Sequence, residues 1–268
     1  MLKNRKLIYW LFLLASVIGA AVRTAVKLKY MDGSTGFYTE GNALITAQNI
    51  FYVVVMLLAI VFGMTLYRGA SKAEGEAEFG KMLPVSVAAF LSGAFVIASG
   101  TGAILASFPA QKVPLFTLLF NCIGVLAGAI LVYFALQPWG GRHGSGGFRA
   151  QFIIITAWIL LKTLVKITTY ETAVSISDQQ LEIIIVTALC VFFFGLARLV
   201  GNVDGVRGRR FVVSSGLAVM LSGIPYAASV IITAFTSSNF SNLSLEFASE
   251  SFLTLLAVFV TYKALDKK

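Results

Sequence analysis

The chain has 268 residues, of which 58% are hydrophobic and 12% charged, and its mean hydropathy is +0.86. Soluble domains carry about 25% charged residues, so this composition excludes a soluble globular protein, a disordered chain and a coiled coil, and two cysteines exclude a disulfide scaffold. The net charge of +9 reads as basic loops beside a membrane rather than as a polyanion site, so the lipid bilayer is an expected partner and nucleic acid is not.

Eight apolar segments follow one another, at about 7–27, 43–67, 82–107, 114–137, 151–170, 182–201, 211–236 and 245–264. Each is near the ~20 residues that a helix needs to cross ~30 Å of hydrocarbon. The runs lack the polar–apolar alternation of a barrel strand, and helices satisfy their own backbone hydrogen bonds in lipid. The expected fold is therefore all-α, a polytopic bundle of eight transmembrane helices. The first segment has the basic start and small residues of a signal peptide, Gly19-Ala20-Ala21 among them, but a mid-chain segment repeats its pattern, so it is read as a span.

Lys and Arg set the orientation. With the N-terminus inside, all of the 21 basic residues except Arg23, Lys27, Lys29, Lys112, Lys162 and Lys166 fall on inside stretches. This predicts a cell-membrane protein with both termini cytoplasmic. The connections are short. The loop 68–81 carries Glu74, Glu76 and Glu78, and the loop 138–150 is dense in glycine. Neither is large enough to hold a soluble catalytic or nucleotide-binding domain.

The glycine loop divides two halves that share features in order. Arg23-Thr24-Ala25-Val26-Lys27 resembles Lys162-Thr163-Leu164-Val165-Lys166, and each run is followed by a tyrosine and an acid: Tyr30 with Asp32, and Tyr170 with Glu171. Leu91-Ser92-Gly93 matches Leu221-Ser222-Gly223, and Tyr133 matches Tyr262. These matches predict a 4+4 parallel tandem repeat, residues 1–140 and 141–268 each forming a four-helix unit about an axis along the membrane normal.

Familiar chemistry is missing. The single histidine, His143, cannot supply an H-E-x-x-H zinc pair, and there is no G-x-x-x-x-G-K phosphate loop. No acid lies deep in a predicted helix, which counts against a carboxylate proton relay. The chain is therefore not expected to be an enzyme, and no catalytic residue, metal site or cofactor is assigned.

The strongest polar feature is the pair of basic i,i+4 steps, Arg23 with Lys27 and Lys162 with Lys166, each on one helix face. Lys162 lies ten residues after Phe152, roughly 15 Å along the helix and so near the midplane, where a charge costs at least ~2.5–3.5 kcal/mol. It must snorkel to water or face a basic cavity. Glu246 and Glu250, also i,i+4, fall at the outer end of the last segment, because the apolar run from Ser251 to Tyr262 is too short to span alone. Asn121 aligns with Glu250 in the proposed repeat. Lys162, Lys166, Arg23, Lys27, Glu250, Glu246 and Asn121 are thus the candidate binding residues. Gln48 and Asn49 are expected to bond between helices, Gly93, Gly100, Gly102 and Gly223 to allow close packing, and Pro225 to kink its helix.

The stretch Tyr30-Met31-Asp32-Gly33-Ser34-Thr35-Gly36-Phe37-Tyr38 resembles one found in uncharacterised multi-pass membrane proteins of Gram-positive anaerobes, which carry D-x-x-T-G-F/L after their first helix. The resemblance covers about ten residues and implies no activity. Two functions compete: a small-solute transporter or permease-like protein with a central cavity, its solute anionic because of the basic pairs, and a non-catalytic membrane sensor or assembly partner bound to an unidentified protein subunit.

Overall fold

The computed structural model describes residues 5–31, 43–66, 82–108, 115–136, 146–168, 176–201, 205–238, 240 and 243–265. These form eight helices: α1 (Arg5–Tyr30), α2 (Ala43–Leu66), α3 (Leu83–Ser107), α4 (Leu115–Leu136), α5 (Gly146–Thr168), α6 (Ile176–Val200), α7 (Gly205–Ser237) and α8 (Leu245–Leu265). All eight are long and apolar enough to cross a membrane. Leu, Val, Ile and Phe are exposed along their outer faces, as a lipid solvent requires, because burying them against one another gains nothing over lipid.

Three boundaries move outward from their sequence-based positions: α5 begins at Gly146 instead of 151, α6 at Ile176 instead of 182, and α7 at Gly205 instead of 211. Apolar counting stops at the first polar residues, whereas a helix can continue through them; in α6 their charges are paired. The extension of α6 matters most, since it brings Asp178 and Glu182 into the bundle.

Helix α7 is the most enclosed and α2 the least. Neighbour follows neighbour around a closed circuit α3–α4–α5–α6–α7–α8–α3, and α1 and α2 pack on the outside of α7 while touching each other only slightly. The Tyr52 hydroxyl donates to the Gly19 carbonyl at 2.8 Å and ties α2 to α1. At the far end, the Tyr9 hydroxyl donates to the Val258 carbonyl of α8 at 3.2 Å. This arrangement does not show the 4+4 duplication: α1 leans on α7, whereas the principal neighbours of its counterpart α5 are α4 and α6. The boundary between residues 140 and 141 lies outside the described residues, as do His143, Glu74, Glu76, Glu78, Tyr170, Glu171 and the stretch Asp32–Tyr38.

Small residues place the backbones. Gly93 of α3 and Gly128 of α4 face each other, each an added Cβ away from the other's carbonyl oxygen, at 2.6 and 2.8 Å. Gly63 is tighter still: a Cβ there would sit 2.4 Å from the Ser214 Cα of α7. Gly102 does not share this role, since nothing lies within 4 Å of its Cβ position. Gly63→Ala is therefore expected to destabilise the docking of α2 by about 1–3 kcal/mol through overpacking, while Gly102→Ala should be neutral or gain up to ~1 kcal/mol from helix propensity. Thermal unfolding of the purified variants in detergent measures both, and equal midpoints for the two would contradict the α2–α7 contact.

One other expectation changes. Asn49 is exposed, and Gln48 is buried with its amide oxygen lacking a hydrogen-bond partner, so this pair does not bond α2 to a neighbour as expected. Pro225 lies inside a continuous α7, against the Gly19 position of α1.

Candidate functional site

Helices α1 and α5 finish at the same end of the bundle at which α6 and α8 begin, and there the charged residues meet. The i,i+4 spacing puts each pair on one face of its helix: Arg23 and Lys27 on α1, Lys162 and Lys166 on α5, Asp178 and Glu182 on α6, Glu246 and Glu250 on α8. The Lys162 Nζ lies 2.8 Å from Glu250 Oε1 and 3.2 Å from Glu246 Oε1. The Lys166 ammonium donates to Glu182 at 2.7 Å and lies 3.4 Å from Glu246 and 4.0 Å from Glu250. Glu182 also accepts a hydrogen bond from the Tyr226 hydroxyl of α7. One turn earlier on α6, Asp178 accepts from both Arg23 and Lys27, the latter at 2.8 Å.

Burial is deep. Arg23 is 0% exposed, Lys27 4%, Lys162 5% and Glu250 4%. Such charges persist away from water only when paired and hydrogen-bonded; the network pairs each of these four, although Glu250 Oε1 meets Lys162 as an ion pair without hydrogen-bond geometry. Among the described residues its four cations face four carboxylates, a formal balance of charge. The side chain of Glu246 is the exception in exposure, at 47%, and it sits at the open edge.

Lys162 faces the interior of the bundle, over the Trp158 ring at 5.6 Å. It does not lie at mid-helix: α5 ends at Thr168, six residues or about 9 Å beyond it.

Beside the network, a cavity of about 120 Å³ opens among α3, α4, α5 and α8. Its polar lining comes from Ser99, Asn121, Lys162, Glu246 and Ser249, and Trp158 forms part of its wall. The Asn121 amide donates to the Thr117 carbonyl at 2.9 Å. Of the seven residues marked from the sequence, Lys162, Glu246 and Asn121 line this space. Lys166 and Glu250 join through ion pairs, and Arg23 and Lys27 meet Asp178 instead.

Sequence reading misses Asp178, Glu182 and Tyr226. The signal for the two acids was present: they repeat the i,i+4 spacing of Glu246 and Glu250 at the outer end of a span. Among the described residues the acids all lie near helix starts rather than mid-helix, yet Asp178 and Glu250 are buried there, in the end turns of α6 and α8. Among the described residues no group of three or more His, Cys, Asp or Glu side chains is placed to hold a metal ion.

Apolar helices of this length and number make the chain an integral membrane protein. No protein-family model matches it, and comparisons with curated proteins and with solved structures found no match.

Proposed function

We propose that this protein moves a small polar solute across the membrane, without enzymatic chemistry, through the cavity among α3, α4, α5 and α8. The observation that carries this reading is a space of about 120 Å³ with a partly polar lining, bounded by Lys162 and Glu246 and set beside the buried charges. Intramembrane ionisable residues that face a bundle interior mark solute pathways more often than lipid anchors. The anionic solute expected from the basic pairs loses its basis, because each of those cations is matched by a carboxylate. With both termini cytoplasmic, the cavity belongs to the outer half of a cell-membrane protein. Reporter fusions at Gly141 and Ser238 check this, and an external Gly141 would reverse the orientation.

The pairing of every cation in the network favours a second reading, in which the charges staple the helices of a sensor or assembly partner. Uptake into liposomes holding the purified protein separates the two. The panel consists of labelled amino acids, carboxylates, amines and sugars. At least one is expected to enter faster than into protein-free liposomes, and Ser99→Phe, which fills the cavity, is expected to stop it. Correctly folded protein that accelerates none of them leaves the stapling role.

A further inference from the structure

We propose that the cavity binds a small zwitterion, an α-amino acid of the size of glycine, alanine or serine, inserted between Lys162 and Glu246. This rests on the reading of the cavity as a solute site and names its substrate class.

The first argument is charge balance. Among the described residues of the network Arg23, Lys27, Lys162 and Lys166 meet Asp178, Glu182, Glu246 and Glu250. An incoming anion or cation would leave one charge unmatched in a low-dielectric space, where an unpaired ion is costly. A zwitterion adds one charge of each sign. Its carboxylate takes a place on the Lys162 ammonium and its ammonium meets the Glu246 carboxylate, so a single ion pair becomes two and the total stays at zero.

The second argument is which pair can open. Lys162 is held by Glu250 at 2.8 Å and by Glu246 at 3.2 Å. Glu250 is enclosed, whereas the side chain of Glu246 is 47% exposed and its carboxylate lines the cavity. Glu246 can therefore swing away from Lys162 without breaking the buried bond behind it. Asn121 and Ser249 add neutral hydrogen-bonding groups to the walls, and the Trp158 ring, already beside the Lys162 ammonium, offers a face to a second cation.

The third argument is size. A cavity of about 120 Å³ is slightly smaller than the engineered cavity of about 150 Å³ that accepts benzene. It therefore suits a solute of about six heavy atoms.

Equilibrium binding to the purified, monodisperse protein in nanodiscs tests this, with labelled alanine displaced by unlabelled alanine, propionate or ethylamine. Propionate and ethylamine each carry one of the two charges. Alanine is expected to bind at least about tenfold more tightly than either, since each lacks one charge-assisted bond. In Glu246→Gln the network gains one unmatched positive charge, so the preference should turn toward propionate, which labelled propionate reads directly; Glu246→Asp should keep the preference for alanine. Glu246 is half exposed, so its replacement leaves the enclosed Lys162–Glu250 pair in place. Propionate binding the native protein as well as alanine does, no binding of any probe, or an unchanged preference in Glu246→Gln would each overturn the proposal. Selective alanine binding without uptake into liposomes would uphold it and remove the transport reading.

Discussion

Lys162→Met is expected to destabilise the protein by about 3–5 kcal/mol, the loss found when one member of a buried ion pair is removed. The cost comes from the carboxylate left behind. Glu250 is 4% exposed and holds its nearest cation at 2.8 Å, so in the variant it stands charged in an enclosed space. Lys166 offers partial relief at 4.0 Å, yet it is already bonded to Glu182 at 2.7 Å. Glu250→Gln should be costly for the converse reason, although Glu246 still reaches Lys162 at 3.2 Å, so its loss should be the smaller. The double variant Lys162→Met with Glu250→Gln removes both charges and should recover a coupling energy of about 1–3 kcal/mol relative to the sum of the single losses. Unfolding midpoints in detergent, measured for all four proteins, give that coupling. Additive single effects would mean that the two side chains do not depend on each other.

Asp178→Asn is expected to be the most damaging single change at the charged end. One carboxylate there faces two enclosed cations, since Arg23 is 0% and Lys27 4% exposed. Its neutralisation takes from a guanidinium and an ammonium one turn apart on α1 the carboxylate that they share, so their mutual repulsion is less compensated. The loss should equal or exceed the ~3–5 kcal/mol of a single broken pair, enough to exhaust much of the stability of an ordinary fold. Glu182→Gln, one turn along the same helix, should cost less, because Lys166 keeps Glu246 at 3.4 Å and Glu250 at 4.0 Å. Adding Lys27→Met to Asp178→Asn should restore part of the folded yield by removing the repulsion. The monodisperse fraction on size-exclusion chromatography of fluorescent fusions ranks these variants, and Asp178→Asn matching Glu182→Gln would contradict the assignment.

Much of this site is legible in the residues. An ammonium such as that of Lys162 cannot rest in hydrocarbon, and a last span too short to cross without Glu246 and Glu250 puts two carboxylates at the correct end. From these constraints the meeting of α5 and α8 follows. The partner of Arg23 and Lys27 is harder to find, because Asp178 precedes the apolar run that marks α6 and looks like loop until its charge is seen to be paired. The order of the helices around the bundle is harder still. Lipid-facing surfaces resemble one another, and what selects neighbours is the fit of small residues such as Gly63 against Ser214 and Gly93 against Gly128, a matter of shape rather than of hydropathy. For the same reason the local matches between halves, real as similarities of sequence, do not translate into equivalent neighbours for α1 and α5.

The separation of opposite charges along the chain bears on how the protein is made. Arg23 and Asp178 are 155 residues apart, and among the described residues every carboxylate of the network belongs to α6 or α8. During synthesis α1 and α5 therefore enter the bilayer with Arg23, Lys27, Lys162 and Lys166 before these four counter-ions exist. The arrival of α6 supplies the first two, and α8 the last. The early helices must wait at the membrane surface or beside the insertion machinery with their basic ends in water, and the bundle can close only when the final span is in place. A ribosome that stops after α5 releases a product with these four cations and without Asp178, Glu182, Glu246 and Glu250, which makes the last third of the chain a checkpoint for the integrity of the rest.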